Sequence, residues 1–343
     1  MRIEEQRRLE HEAVREKVGF FDFAHDILEV TGEDSAEFLD YIFVNEIADM
    51  EPNTASYTTM LNEKSDALDD VIVFYHGEDK YWITTLFMEE LLVWLRAHRG
   101  RSEVDFYDIT EETALYSVQG PESNRVLNKM LKDNVDDLDY FEFKQTMFED
   151  IKVMVSRTGF TGELGYELYF NPRFTDRIIE GLKENGEEFG IVEVTSDVTL
   201  TSLPTEKGYI TVDDFKGANP IELGLAWSVD CDKDFIGKGE LCVLKEEGPE
   251  RKLVGFIAED MDAKIEKGDK VKLQGEEIGE VTTFTYGFTV EKNIGYAMVD
   301  GKVNENQGQT VTIETYDGDF DATLHERMFY DPKGERVRVQ LNK

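Results

Sequence analysis

The chain has 343 residues and a formal net charge of −37 at pH 7, long enough for two or three domains, each with its own core. That charge argues against nucleic-acid partners and anionic membranes, because phosphate contacts need clustered Lys and Arg. A hydrophobic content of 40% fits a globular protein; no run reaches the ~18 apolar residues of a membrane span, and the charged N-terminus lacks a signal-peptide core, so a cytoplasmic location is the default expectation. The acids are spread along the chain rather than gathered in a tail, as on a solvated, salt-adapted surface. An anionic ligand would need a local basic spot to overcome this field.

In chain order, apolar spacing predicts a weakly amphipathic helix over 3–18, a strand over 27–30 and a helix over 35–41 with Ser35 as its N-cap. Strands follow over 56–61, 71–75 and 81–85, with a turn at 62–66 and a helix over 88–96. A strand over 114–119 leads into Gly120 and Pro121, the latter suited to the first turn of a helix ending near Leu131. Strands 151–155 and 166–170 flank a Gly-rich loop, and a helix runs from about Phe174 to Lys183. Strands with helices between them in this mixture read as an α+β fold. Beyond a charged linker at 245–252, short strands at 253–258, 270–273, 279–285, 294–299 and 310–314 alternate with Gly and Asp turns, as in a small barrel or sandwich. The expected division is 1–244, in two α+β subdomains, and 251–343.

The Gly-rich loop, Ser156 to Glu167, is the most informative stretch. Its glycines stand at 159, 162 and 165, where they permit positive φ and close approach of a ligand to the main chain. Glu167 then leaves the loop as a carboxylate able to receive N–H donors. Read by itself the loop is more often a plain hairpin connection, and it is no dinucleotide fingerprint, since a strand rather than a helix follows. Asp69 and Asp70, taken as opening a strand, point to opposite faces, so one of them can line a pocket; Asp pairs at turns are the commoner case. Cys231 and Cys242 are expected to be packing residues rather than a disulfide framework. The five histidines lack metal-ligand spacing. Asp230, Asp232 and Asp234 mimic the start of a calcium loop, but Phe235 stands where Gly is needed and Leu241 where Glu is needed, so no metal is expected.

The order of segments resembles the glycine cleavage T-protein, or aminomethyltransferase, family of tetrahydrofolate enzymes. The resemblance is carried by Glu12-Ala-Val-Arg15, Val18-Gly-Phe-Phe-Asp22, Leu61-Asn-Glu-Lys64 with Asp69 and Asp70, and Val118-Gln-Gly-Pro121. It continues through Ser156-Arg-Thr-Gly-Phe-Thr-Gly162 with Gly165-Tyr-Glu167, Glu206-Lys-Gly-Tyr209, Gly224-Leu-Ala-Trp227 and Asp234-Phe-Ile-Gly-Lys238. It implies a three-domain cloverleaf of the aminomethyltransferase type around a folate-filled centre, with a C-terminal β-barrel. It also implies that Asp70 stands by the reactive nitrogens, Glu167 binds the pterin, Tyr57 lines the pocket, and Phe160 and Trp227 contribute to its walls. A pterin presents a donor edge that a carboxylate receives with paired hydrogen bonds, and one-carbon transfer demands orientation and charge stabilisation.

Departures from the family pattern bear on the donor. A family Arg falls at about Leu200, the family's last-domain Arg at about Lys264, and two family tyrosines at Phe74 and Phe160. The expectation is therefore a tetrahydrofolate-dependent one-carbon transferase, methyl or aminomethyl, that demethylates a small methylated metabolite and has tetrahydrofolate as acceptor. The alternatives are a glycine-cleavage aminomethyltransferase proper, served by a lipoyl carrier protein, and a non-catalytic folate-binding paralogue.

Overall fold

Three sheets organise the molecule, each built where alternating or continuous apolar strands find a partner surface. The computed structural model describes residues 3–215, 217–305 and 308–341. A five-stranded antiparallel sheet runs in the order Thr54–Leu61, Ala67–Gly77, Lys80–Thr85, Asp26–Thr31, Asp105–Asp108. A six-stranded sheet runs Val192–Glu193, Gly19–Asp22, Ala114–Gln119, Gly165–Phe170, Ile151–Ser156, Phe143–Phe148. The third closes into a barrel in the order Arg251–Ala258, Lys292–Asp300, Glu276–Gly287, Lys270–Leu273, Thr310–Thr315, Gly318–His325. Closure leaves no unpaired edge.

Period-two alternation decides which core each side chain joins. Along Ala67–Gly77, Val71 and Val73 pack with Leu28, Ile83, Leu91 and Leu95 on the helix-covered face. Phe74, with Ile72 packed beside it, faces the other way and meets Leu115, Phe143, Met154 and Tyr169 of the six-stranded sheet. The opposite face of that second sheet buries Val118, Val153, Val155 and Leu168 against Leu127, Ile178 and Leu182 of its helices. The two sheets thus press together across an aromatic plug, in which the rings of Phe74 and Tyr169 are 5.4 Å apart.

A buried ionic cluster joins the remaining parts. Glu206, fully buried, accepts bonds at Oε2 from His11 Nε2 (3.1 Å) and from Arg15 Nη2 (3.0 Å), and at Oε1 from the backbone N–H of Thr289 (2.7 Å). Its own carbonyl accepts from Phe329 and Tyr330 N–H. Arg15 also donates to Thr161 O in the Gly-rich loop (2.6 Å) and to Leu203 O, pairs with Glu163, and lies 4.3 Å from the Tyr330 ring centroid. Burial alone would neutralise Glu206, but the bonds from His11 and Arg15 hold its carboxyl down at about 2. The first helix, the Gly-rich loop, the segment 198–207 and the barrel therefore meet on one carboxylate.

Several expected elements shift. Asp69 and Asp70 lie inside the strand Ala67–Gly77 rather than at its start. Ser35 is the first helical residue, not the N-cap, and its hydroxyl donates to Asp79 O. Pro121 precedes the helix Ser123–Met130 and its cap Glu122. Most of the expected linker is shorter, because the helix Lys238–Glu247 extends into it. The strands Phe143–Phe148 and Gly318–His325 were not anticipated; Gly and Asp disguise the alternation of Phe320, Ala322 and Leu324. Cys231 and Cys242 form a disulfide, which corrects the packing-only expectation; the turn at 232–237 brings their Cα atoms to 5.9 Å. Both sulfurs still pack against the core around Leu241.

Two outcomes follow from this architecture. Arg15→Ala leaves Glu206 and Glu163 buried with one cation fewer, and should destabilise the chain by about 3–5 kcal/mol in urea unfolding; a loss below about 1 kcal/mol contradicts the role given to the cluster. Because most acids are not buried, salt should relieve self-repulsion, and the melting temperature should rise from 0.1 to 2 M KCl; a flat or falling curve contradicts the reading of the surface.

Candidate functional site

On the hairpin of Thr54–Leu61 and Ala67–Gly77, Tyr57 pairs with Ile72 and Thr59 with Asp70. Tyr57 and Asp70 are therefore diagonal neighbours on one face, within reach of each other. The Tyr57 hydroxyl donates to Asp70 Oδ2 at 2.9 Å. Burial pushes the Asp70 carboxyl up to about 6, and the bond from Tyr57 only partly offsets this. Asp69 projects from the other face, where it is buried and receives the Thr85 hydroxyl. Burial, opposed by Thr85 and reinforced by the charge of Asp70, raises it to about 7. The opposite-face expectation thus holds, with Asp69 structural and Asp70 half-buried beside Tyr57.

The ring of Trp227 stacks on Tyr57 at 5.7 Å and 27°. Trp227 is 68% exposed, so it is not a core tryptophan; it caps the Tyr57 ring from the solvent side. A cation not picked out from the sequence sits here as well. Arg327, just past the last barrel strand, donates to Leu223 O and lies close enough to Tyr57, Tyr296 and Asp214 to act on them electrostatically. Its Nε is buried without a partner among the described residues. Burial lowers its pKa. A lone Arg between Glu326 and Met328 gave no spacing signal. Lys264, expected at the family's last-domain Arg, is instead 77% exposed and pairs with Asp317. Leu200 is half exposed in the wide turn Val198–Ser202.

Glu167 stands on the six-stranded sheet, on the same face as Tyr169. It is buried, and Oε2 accepts the hydroxyls of Thr158 (2.6 Å) and Tyr169 (3.2 Å). Burial raises its pKa against both bonds. Phe160, within the loop, stacks between Phe23 (6.1 Å) and Tyr209 (5.5 Å). The loop itself joins two neighbouring antiparallel strands, with Glu167 opposite Ser156. Its glycines serve protein contacts rather than an open approach to the main chain. A Cβ on Gly159 or Gly165 would strike the Gln119 amide at 2.2 Å, and Gly162, at φ +82°, is covered by Lys207. Gln119 in turn binds Ser117, Thr158 O and Thr161.

The sequence-predicted residues therefore form two groups. Tyr57 touches both Asp70 and Trp227, and Glu167 and Phe160 lie on the Gly-rich-loop side. The plug of Phe74 and Tyr169 links the two sheets that carry Asp70 and Glu167. No group of three or more His, Cys, Asp or Glu among the described residues is placed to hold a metal. None of the described helices is long and apolar enough to cross a membrane.

Comparisons with known proteins give the family and the fold. Residues 2–233 match the family model described as the GCVT N-terminal domain, and 251–331 match the glycine cleavage T-protein C-terminal barrel domain. An aminomethyltransferase from Halothermothrix orenii is 35% identical over 312 residues, covering 89% of this chain and 86% of its own. One from Geobacillus thermodenitrificans is 34% identical over 334 residues, covering 94% and 89%. The crystal structure of the glycine cleavage system aminomethyltransferase T from Bartonella henselae superposes with a TM-score of 0.84 at 23% identity, over 98% of this chain and 90% of that one, which establishes the fold.

Asp70 has a testable pH signature. Its folded value of about 6 exceeds its ordinary 3.8, so between these values the folded state holds more protons than the unfolded state and stability falls as pH rises. Asp70→Asn should be more stable than wild type at pH 8, by about 1–2 kcal/mol after discounting for partial exposure. The gap should close towards pH 4. A variant no more stable at pH 8 than at pH 4, relative to wild type, contradicts the burial assigned to Asp70.

Proposed function

We propose that this chain, which belongs to the glycine cleavage T-protein family, is an enzyme that transfers an aminomethyl-derived one-carbon unit to tetrahydrofolate. The observation that carries the reading is the pairing of a half-buried Asp70, oriented by Tyr57, with a buried Glu167 across two sheets that pack against each other. The full-length similarity to proteins named aminomethyltransferase favours an aminomethyl donor over the methyl donor expected from the departures in sequence.

The residues fit such a ligand on chemical grounds. Both hydroxyl donors to Glu167 act on Oε2, which leaves Oε1 to receive an N–H donor, and a pterin edge offers a pair. Phe160 and Tyr209 supply flat apolar surface next to it. Asp70 is mostly ionised above its value of about 6, so at neutral pH it can hold positive charge at a reacting nitrogen as the carbon–nitrogen bond breaks. Tyr57 keeps that carboxylate in one rotamer, and Trp227 shields the pair from water. Tetrahydrofolate, when bound, would supply the two nucleophilic nitrogens that take the carbon as a methylene, the donor's amino group leaving as ammonia and the carrier sulfur as a thiol. The established chemistry of the family assigns the donor to a lipoyl carrier protein, and we extend that partner to this chain.

A second reading, a free small methylated donor, is favoured by Leu200 and by the outward-facing Lys264, which leave two family cation positions without a cation at the site. Calorimetry with tetrahydrofolate, followed by transfer assays, separates the readings. The wild type should bind and should turn over an aminomethyl-loaded lipoyl carrier. Asp70→Ala should keep binding and lose roughly 10²–10³-fold in turnover. Absence of folate binding overturns the proposal. Turnover only with N-, S- or O-methylated metabolites selects the second reading, and binding without turnover of any donor marks a folate-binding paralogue.

A further inference from the structure

The disulfide lies beside the residues that cover Tyr57. Cys231 follows Trp227 on the connection that leaves the short turn Ala226–Ser228. Cys242 stands in the helix Lys238–Glu247, at a sequence separation of 11. Both cysteines are half-buried. Together with Leu244, Ala226 and Tyr57 they pack against one apolar cluster that contains Leu225, Val229 and Leu241. Cys242 also lines an open cavity of about 660 Å³, so one sulfur of the bond can be approached from solvent.

The helix that carries Cys242 is lightly held. Among its residues only Leu241 is fully buried. Besides the disulfide, Lys245 Nζ donates to Val229 O at 2.6 Å, and the Ser65 hydroxyl donates to Gly237 O at 2.7 Å just before the helix begins. A crosslink restrains the segments it joins by removing chain freedom. Here those segments are the helix and the connection that runs back to Trp227. The Trp227 ring is 68% exposed and rests on Tyr57 through a stack at 5.7 Å, so the bond steadies the cover of the Tyr57–Asp70 pair. The cavity wall sets Glu63, Asp234 and Glu240 against Lys238. In a chain of net charge −37, that wall repels an anionic thiol and admits an uncharged one.

We propose that the Cys231–Cys242 bond is a thiol–disulfide exchange site for an uncharged dithiol, and that opening it releases Trp227 from Tyr57. A thiolate of the dithiol attacks Cys242 Sγ, the S–S bond breaks, and Cys231 Sγ leaves as a thiolate that takes up a proton. The second thiolate of the reagent then attacks the reagent's own sulfur in the mixed disulfide and expels Cys242 Sγ, which is protonated in turn. Two electrons pass from the dithiol, which ends as a cyclic disulfide, to the cysteine pair. The exchange needs neither folate nor a one-carbon donor.

Thiols are counted on the native full chain with a chromogenic disulfide, without oxygen, after the reductant is removed. Dihydrolipoamide and dihydrolipoate serve as probes, since they share the same two thiols and differ by one negative charge. Dihydrolipoamide should free both cysteines, in 0.1 M KCl roughly threefold or more faster than dihydrolipoate, and 2 M KCl should narrow the gap. Acrylamide quenching of Trp227, taken as wild type minus Trp227→Phe, should then rise roughly twofold as the ring's covered face is freed. Reoxidation with diamide should reverse the rise. The Cys231→Ser, Cys242→Ser double variant should show the high quenching without reductant and respond to neither probe; if its circular dichroism melt shows no fold, the wild-type redox cycle carries the test. If the urea-unfolded chain yields thiols and the native chain yields none, the bond is a closed staple and the site is overturned. Thiol release with unchanged Trp227 quenching overturns the link to Tyr57. A rate with dihydrolipoate in 0.1 M KCl that equals or exceeds the rate with dihydrolipoamide overturns the choice of an uncharged reagent.

Discussion

The buried carboxylate of Glu206 is the constraint on which the rest of the molecule depends. It receives Arg15 and His11 from the first helix and backbone N–H groups from the barrel loop at 289–290, while its own carbonyl holds 329–330. Arg15 carries the connection on to Thr161 and Glu163 in the Gly-rich loop. Such a cluster contributes little net stability compared with a well-packed apolar core, but losing one member is expensive. It therefore acts as a registration device. The barrel, which supplies Arg327 near Tyr57, and the six-stranded sheet, which supplies Glu167, are held in one geometry by it.

Under the proposed folate reading, that geometry brings residues far apart in sequence to one flat ligand. Asp70 and Tyr57 come from one sheet, Glu167 and Phe160 from the Gly-rich-loop side, and Trp227 from a connection. These groups carry a cost: Asp70 and Glu167 are carboxylates raised by burial. A fold tolerates such sites where a ligand meets the cost.

Much of the fold was legible because alternation and turn residues are local signals. The barrel strands and both arms of the Gly-rich hairpin could be read directly from apolar runs. Gly318–His325 could not, because Asp319 and Asp321 beside Gly318 look like a turn until the inward Phe320, Ala322 and Leu324 are seen. The position of Asp70 was legible through its family pattern, but its partner was not: the contact with Tyr57 depends on a diagonal register across a hairpin. The glycines of the loop were read as room for a ligand, whereas long-range packing by Gln119 and Lys207 fills that room. Arg327 and the disulfide of Cys231 and Cys242 are products of tertiary approach, and no spacing rule foretells them.

A structure of the chain with tetrahydrofolate bound tests the central claim most directly. The account predicts that the pterin donor edge meets Glu167 and that the reactive nitrogens lie on the Asp70 side. A folate seated elsewhere, with Glu167 still bonded only to Thr158 and Tyr169 and Asp70 facing solvent, would contradict it.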